Sequence, residues 1–274
     1  MKIAKNVMNS PITIDKKISI GETISKLLKE KISRVLISED SVITRIVSEK
    51  DICHFLLEKQ NESINKIPIE QISKKIFSIN AEEDLKSCTK EMVQKNIGSL
   101  GIKSEKINGI LTKTDIVKNI QAELKEKKAV EIMSNDYLWE FSDLPINHIF
   151  KKMIDFNISR LILKEENEIS SGIITIRDLL KLGFRNLNTS SIQSEELDTG
   201  LLFERFYSDK IKGQELSSKE IISVPMMENL SKVCSLLLKE GIDGVGVLND
   251  NNIIWGVLTK TDLLKSYING KNSS

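Results

Sequence analysis

Residues 255–262 read WGVLTKTD, and near copies stand at 108–115 (NGILTKTD), at 171–178 (SGIITIRD) and, more loosely, at 44–51 (TRIVSEKD). Each copy is an apolar run that stops at a hydroxyl residue and continues through two variable positions to an aspartate. A strand giving way to a helix N-terminus fits this pattern, because Ser and Thr cap helices and acids favour their first turn.

The repetition reaches beyond these eight residues. At an offset of 65, Ile20, Leu27, Leu28, Ile32 and Ile37 fall on Leu85, Met92, Val93, Ile97 and Ile102. Offsets of 126 and 210 carry the same five positions to Ile146, Met153, Ile154, Ile158 and Leu163, and to Leu230, Leu237, Leu238, Ile242 and Val247. From the last of these to the motif aspartate is 14, 13, 15 and 15 residues, so a tight turn alone varies. Self-similarity at this scale marks a repeat architecture. Within a copy, PITID is strand-like, Ile20 to Leu28 recur at helical spacing, SRVLISED and SVITRIV form a hairpin, and SEKDICHFLLEK is amphipathic. The expectation is an α/β (α+β) protein of four strand–helix–strand–strand–helix units.

A unit this small buries little surface, so copies should pack in pairs. Chain order suggests a first pair over 1–122 (repeats 5–60 and 69–122) and a second over 128–270 (repeats 128–183 and 217–270). The aspartate spacings are 64, 63 and 84 residues, which places an insertion at 184–216. It should hold a loop, NLNTSSIQSE, and an extra helix, ELDTGLLFERFYSDK. The charged stretch QAELKEKKAV at 121–130 is the linker candidate.

Composition narrows the function. Forty basic against thirty-nine acidic residues give a net charge of +1 and no long-range field to gather nucleic acid or anionic lipid. Cys53, Cys88 and Cys234 are far apart and form no framework, His54 and His148 lack further ligands at metal spacing, and no apolar run is long enough to span a bilayer. A cytoplasmic protein without a metal site is expected. No P-loop occurs, and neither histidine has a recognisable Ser or Cys nucleophile, so no catalysis is expected.

The motif itself has two readings. As a capping box, Ser48, Thr112, Thr175 and Thr259 satisfy helix N–H groups while the acid reaches back. That leaves the glycines at 109, 172 and 256 without a task, although Gly in a strand commonly marks close approach of a backbone or ligand. As a binding site, the same hydroxyls meet sugar or phosphate oxygens. Asp51, Asp115, Asp178 and Asp262 then accept from a ribose diol, and Lys50, Lys113, Arg177 and Lys260 meet phosphate.

These residues resemble the cystathionine-beta-synthase domain family, usually called CBS domains, over about 5–122 and 128–270. The resemblance implies two tandem (Bateman-type) modules, each with two clefts about a pseudo-twofold axis. It implies AMP, ADP, ATP or S-adenosylmethionine as a regulatory, non-covalent ligand, with the motif aspartates on the ribose. Four units in one chain resemble the layout of the regulatory gamma subunit of AMP-activated kinase.

The copies differ. Arg45 stands where the others carry glycine and either fills its cleft, the favoured reading, or offers its guanidinium to phosphate. Gly101 and Gly246, matched by Leu36 and Ile162, either make room for adenine or mark a close strand contact. Arg34 and Arg160 are phosphate candidates or solvated charges. Thr13, Ser78 and Ser223 align in the opening strands, where copy three has Trp139, a base-stacking or, preferably, a core residue. The favoured function is a non-enzymatic sensor of an adenosine ligand, read by an unidentified partner protein, with a homodimer through module faces left open. The rivals are a ligand-free interaction scaffold and, with less support, a nucleic-acid-linked regulator. No membrane role is expected.

Overall fold

The computed structural model describes residues 2–58, 63–166, 169–184, 210–218 and 220–270. Repeat one consists of β1 (Thr13–Asp15), α1 (Ile20–Lys29), β2 (Arg34–Glu39), β3 (Val42–Ser48) and α2 (Glu49–Glu58), followed by a short β4 (Lys74–Lys75). Repeat two consists of β5 (Ser78–Asn80), α3 (Leu85–Gln94), β6 (Ser99–Lys103), β7 (Ile107–Thr112) and α4 (Lys113–Ile120). Repeat three runs through β8 (Trp139–Phe141), α5 (Ile146–Asp155), β9 (Arg160–Lys164), β10 (Ser170–Thr175) and α6 (Ile176–Phe184), and a short α7 (Gly213–Leu216) comes later. Repeat four is β11 (Ser223–Pro225), α8 (Leu230–Lys239), β12 (Gly244–Leu248), β13 (Ile254–Thr259) and α9 (Lys260–Asn269). The expected order of elements holds in all four.

Local chemistry explains these boundaries. Ser19 and Glu22 form a capping box on α1, and the Asp84 carboxylate accepts from the N–H groups of Lys86 and Ser87 to start α3. Two positions past the end of the first helix of every repeat stands a residue of positive φ: Lys31 (55°), Asn96 (49°), Asn157 (51°) and Gly241 (64°). The next residue, always isoleucine, then donates its N–H back to Leu27, Met92, Met153 or Leu237 at 2.9–3.1 Å. That is the Schellman closure, with its accompanying apolar contact. The first strand of each repeat pairs parallel with the second, across the helix, and the second pairs antiparallel with the third. Every hairpin carries a bulge beside the motif glycine or, in repeat one, beside Arg45.

The chain divides into two compact units. One holds residues 1–11, 76–137 and 221–274, and therefore repeats two and four; the other holds 12–75 and 138–220, and therefore repeats one and three. In the first, α4 and α9 pack together and bury Ile116, Val117, Ile120, Leu263 and Leu264 in one core. In the second, α2 packs on α6 and α5, and Ile52, Leu56, Phe150, Leu179 and Leu180 share a core. The cores thus join repeats that are not neighbours in the chain.

Each repeat also receives an arm from a segment outside its own five elements. Residues 3–9 pair with repeat two, through Asn9 and Ile110, and β4 pairs with β3 of repeat one. Ser134 pairs with Val257 in repeat four, and Ser218 with Ile173 in repeat three. The end of the expected insertion, 210–216, therefore lies in an arm packed on repeat three; Gly213 sits against Ile149 and Leu163. The rest of that insertion, with its expected helix, lies outside the described residues. The stretch 121–130 is packed and not a free tether: Leu124 and Ala129 are buried, and Lys127 Nζ donates to Ser266 Oγ at 2.8 Å.

Candidate functional site

The four motifs adopt one geometry. The aspartate Oδ2 accepts from the backbone N–H of the hydroxyl residue at 2.9 Å (Ser48), 2.8 Å (Thr112), 2.9 Å (Thr175) and 2.8 Å (Thr259). It also accepts from that residue's hydroxyl at 2.5, 2.6, 2.6 and 2.7 Å, in the same order. The acid thus reaches back in every copy, and the reverse bond, from the aspartate N–H to the hydroxyl, is made at Ser48 and Thr112, 3.4 Å in each. A hydroxyl has one proton, and here it is directed at Asp, so toward a further group Ser48, Thr112, Thr175 and Thr259 act as acceptors. That suits a sugar hydroxyl better than an ionised phosphate.

The second aspartate oxygen differs between copies. Asp115 Oδ1 accepts from Asn9 Nδ2 at 2.6 Å, and Asp51 Oδ1 pairs with Lys74 Nζ at 2.6 Å. Asp178 Oδ1 has Lys181 at 3.6 Å, a loose pair within one helix. Among the described residues Asp262 Oδ1 has no partner.

The cations of the variable positions bond to the opposite repeat of their own unit. Lys113 Nζ donates to Thr261 Oγ1 at 2.8 Å and Lys260 Nζ to Thr114 Oγ1 at 2.8 Å, a reciprocal pair. Lys260 is buried, 4% exposed, and also meets Asp243 at 3.0 Å. In the other unit Arg177 Nε pairs with Glu49 at 2.7 Å, and Lys50 Nζ donates to the Asn157 carbonyl at 2.6 Å. Burial pushes the Lys50 ammonium below its usual range; Asp51 opposes this, and Arg34, Arg160 and Lys74 add to it. Arg34, whose guanidinium donates to Ser33 Oγ at 3.4 Å, and Arg160 occupy matching positions, where repeats two and four carry Ser99 and Gly244.

The glycines answer to the arms. A Cβ at Gly172 would stand 2.6 Å from the Ser218 carbonyl oxygen, and one at Gly256 2.9 Å from that of Ser134. At Gly109 it would meet the Met8 thioether. Arg45, in the same place, sends its guanidinium to the arm, with Nε donating to Ser73 Oγ at 2.6 Å and Nη2 to the Ser73 carbonyl. Gly101 lies opposite Ser78, and Gly246 opposite Ser223, in the parallel pairs. A Cβ on either would press on isoleucine side chains, 3.0 Å from Ile76 and 3.3 Å from Ile254. Thr13 and Trp139 face Leu36 and Ile162. Trp139 is half-buried, edge-on to Phe141 at 5.2 Å, with the Lys164 ammonium 4.3 Å from its ring centre.

Asn9, Lys74, Ser134 and Ser218 are site residues that the motif did not reveal. The signal for them was the apolar series Val7, Ile72, Ile132 and Leu216, which stands 6 or 7 residues before each opening strand. Of the described residues, none form a cluster able to hold a metal ion, and no helix is long and apolar enough to cross a membrane.

These four units are CBS domains: the family model matches residues 4–58, 69–122, 129–184 and 214–269, and the chain belongs to that family. Among individual proteins it is similar to the uncharacterized protein MJ1225 of Methanocaldococcus jannaschii, 19% identical over 97% of this chain and 98% of the relative. The crystal structure of MJ1225, proposed as an archaeal homolog of g-AMPK, superposes with a TM-score of 0.83 at 16% identity over 97% of this chain and 100% of that one. An uncharacterized conserved protein from Pyrococcus horikoshii gives a TM-score of 0.65 at 18% identity over 96% and 99% of the two chains. At these identities the likeness establishes the fold.

Proposed function

We propose that this chain is a non-enzymatic regulatory protein that binds an adenosine-containing ligand (AMP, ADP, ATP or S-adenosylmethionine) at its motif aspartates and conveys the bound state to a partner protein. The observation that carries this reading is the divided role of the Asp262 carboxylate. One oxygen caps α9, and the other, which has no partner among the described residues, lies beside a helix N-terminus, where a ribose hydroxyl could donate to it. Arg34 and Arg160, at matching positions of repeats one and three, are the cations proposed to meet an anionic tail in that unit. Family membership and the full-length likeness to a proposed g-AMPK homolog favour regulation over catalysis.

The tandem division at 1–122 and 128–270 is part of this reading. Its support is the exchange of arms: residues leading into repeat one pack on repeat two, and those leading into repeat two pack on repeat one. The reading places the protein in the cytoplasm, where thiols such as Cys53, Cys88 and Cys234 stay reduced.

A ligand shifts a conformational equilibrium only by its differential affinity for the two states. Calorimetric titration of AMP, ADP, ATP and S-adenosylmethionine into the wild type and an Asp115→Ala/Asp262→Ala variant tests the binding step. Heat from at least one ligand, lost or at least tenfold weaker in the variant, is expected; equal heats remove these aspartates from the account. A second reading, a scaffold without ligand, is favoured for repeats one and two by the occupied carboxylates of Asp51 and Asp115.

A further inference from the structure

The arms reach all four motifs through one backbone register. Lys74, Asn9, Ser218 and Ser134 pair with Ile46, Ile110, Ile173 and Val257, and these lie 5 residues before Asp51, Asp115, Asp178 and Asp262. The arm backbone is held alike at three of them: Asn9, Ser134 and Ser218 each exchange two N–H···O=C bonds of 2.9–3.0 Å with the facing strand. The side chain at this one position differs. Lys74 and Asn9 are long enough to reach the aspartate and do so at 2.6 Å. Ser134 and Ser218 are short, and their hydroxyls turn to the carbonyls of Asp136 and Glu220 at 3.4 and 3.3 Å. The outer oxygens of Asp178 and Asp262 are correspondingly the less engaged pair.

We propose that the arm residue facing each motif aspartate determines which repeats accept a ligand: Lys74 and Asn9 act as built-in competitors that close repeats one and two, and Ser218 and Ser134 leave repeats three and four open. The inference rests on the proposed binding of an adenosine diol by these aspartates. An ammonium or amide donor on Oδ1 occupies the acceptor that a ribose hydroxyl requires, so a ligand in repeats one and two must first displace it. An ordinary net hydrogen bond, of about 0.5–1.5 kcal/mol, changes affinity by roughly three- to tenfold when it must be broken, and one to a charged group by more. The Lys74 ammonium is largely exposed and the Asn9 amide lies at the surface, which places the effect at the lower end.

The test exchanges the arm residues in the full-length chain. AMP, ATP and S-adenosylmethionine are titrated by calorimetry into the wild type, Ser134→Asn, Asn9→Ser, Asn9→Ser/Asp115→Ala and Asp262→Ala proteins, with melting curves verifying that each is folded. Ser134→Asn should weaken the binding that depends on Asp262 by roughly three- to tenfold. Asn9→Ser should add or tighten a binding event that disappears when Asp115→Ala is combined with it. Binding that Asp262→Ala abolishes and the arm exchanges leave unchanged overturns this inference and spares the binding reading. Heat from none of the three probes in any protein, or heat indifferent to Asp262→Ala, overturns the binding reading and this inference with it.

Discussion

Alanine substituted at the three motif glycines tests whether those positions serve the arm or a ligand, and the structure orders the outcomes. At Gly172 the new Cβ would stand 2.6 Å from the Ser218 carbonyl oxygen, which is backbone and cannot rotate away. The arm must retreat, straining the pair of bonds between Ser218 and Ile173 at 2.9 and 3.0 Å. Overpacking of this kind costs about 1–3 kcal/mol, and each strained bond is worth about 1 kcal/mol. Replacing a strand glycine with alanine returns about 0.5–1 kcal/mol. The net loss for Gly172→Ala is about 2 kcal/mol, or about 4–8 °C in Tm for cooperative units of this size. Gly256→Ala, at 2.9 Å from the Ser134 carbonyl, should lose about 1 kcal/mol. At Gly109 the obstacle is the flexible end of Met8, so alanine should be within about 1 kcal/mol of neutral. Thermal melting followed by far-UV circular dichroism, with urea denaturation as a second measure, gives the order. Equal losses at the three sites would refute the arm argument. So would an unchanged Tm for Gly172→Ala accompanied by loss of ligand heat, which would give the glycine to the ligand.

Two further outcomes follow from the ionisable groups. The Ser87 hydroxyl, and then its N–H, hold the Asp84 carboxyl below its ordinary 3.8. A depressed carboxylate stabilises the fold above its unfolded pKa and loses that contribution as pH falls through the folded value. Asp84→Asn should accordingly flatten the decline of urea stability between about pH 4 and pH 2, and an unchanged slope would count against the cap. Burial raises the thiols of Cys88 and Cys234 to about 12 and that of Cys53 well above its usual value. All three should therefore resist a thiol reagent at pH 8 in the native protein and react together in urea; rapid native labelling of any would contradict its burial.

Much of this molecule was legible in its sequence, because the cues are local. The apolar spacing from Ile20 to Ile37 and the hydroxyl–x–x–aspartate box act within a few residues of one another. The fourfold repetition multiplied each weak signal. The capping reading and the binding reading could not be separated there, and the geometry shows why: one oxygen of each aspartate serves the helix, leaving the other available for something else. The cations at 50, 113, 177 and 260 fitted a phosphate role by charge alone. Their observed bonds run to Asn157, Thr261, Glu49 and Thr114, more than 100 residues away.

The sequence by itself determined the repeat, its elements and the caps, since short-range sterics and hydrogen bonding specify these without reference to the rest of the chain. Tertiary structure alone decided that the cores join repeat one to three and two to four, that the motif glycines face arms, and that Asn9 and Lys74 hold two aspartates while a third carboxylate, Asp262, keeps one oxygen open among the described residues. The physical reason is degeneracy: four similar apolar faces are complementary to one another in any pairing, and the choice rests on side chains that meet only once the chain has folded.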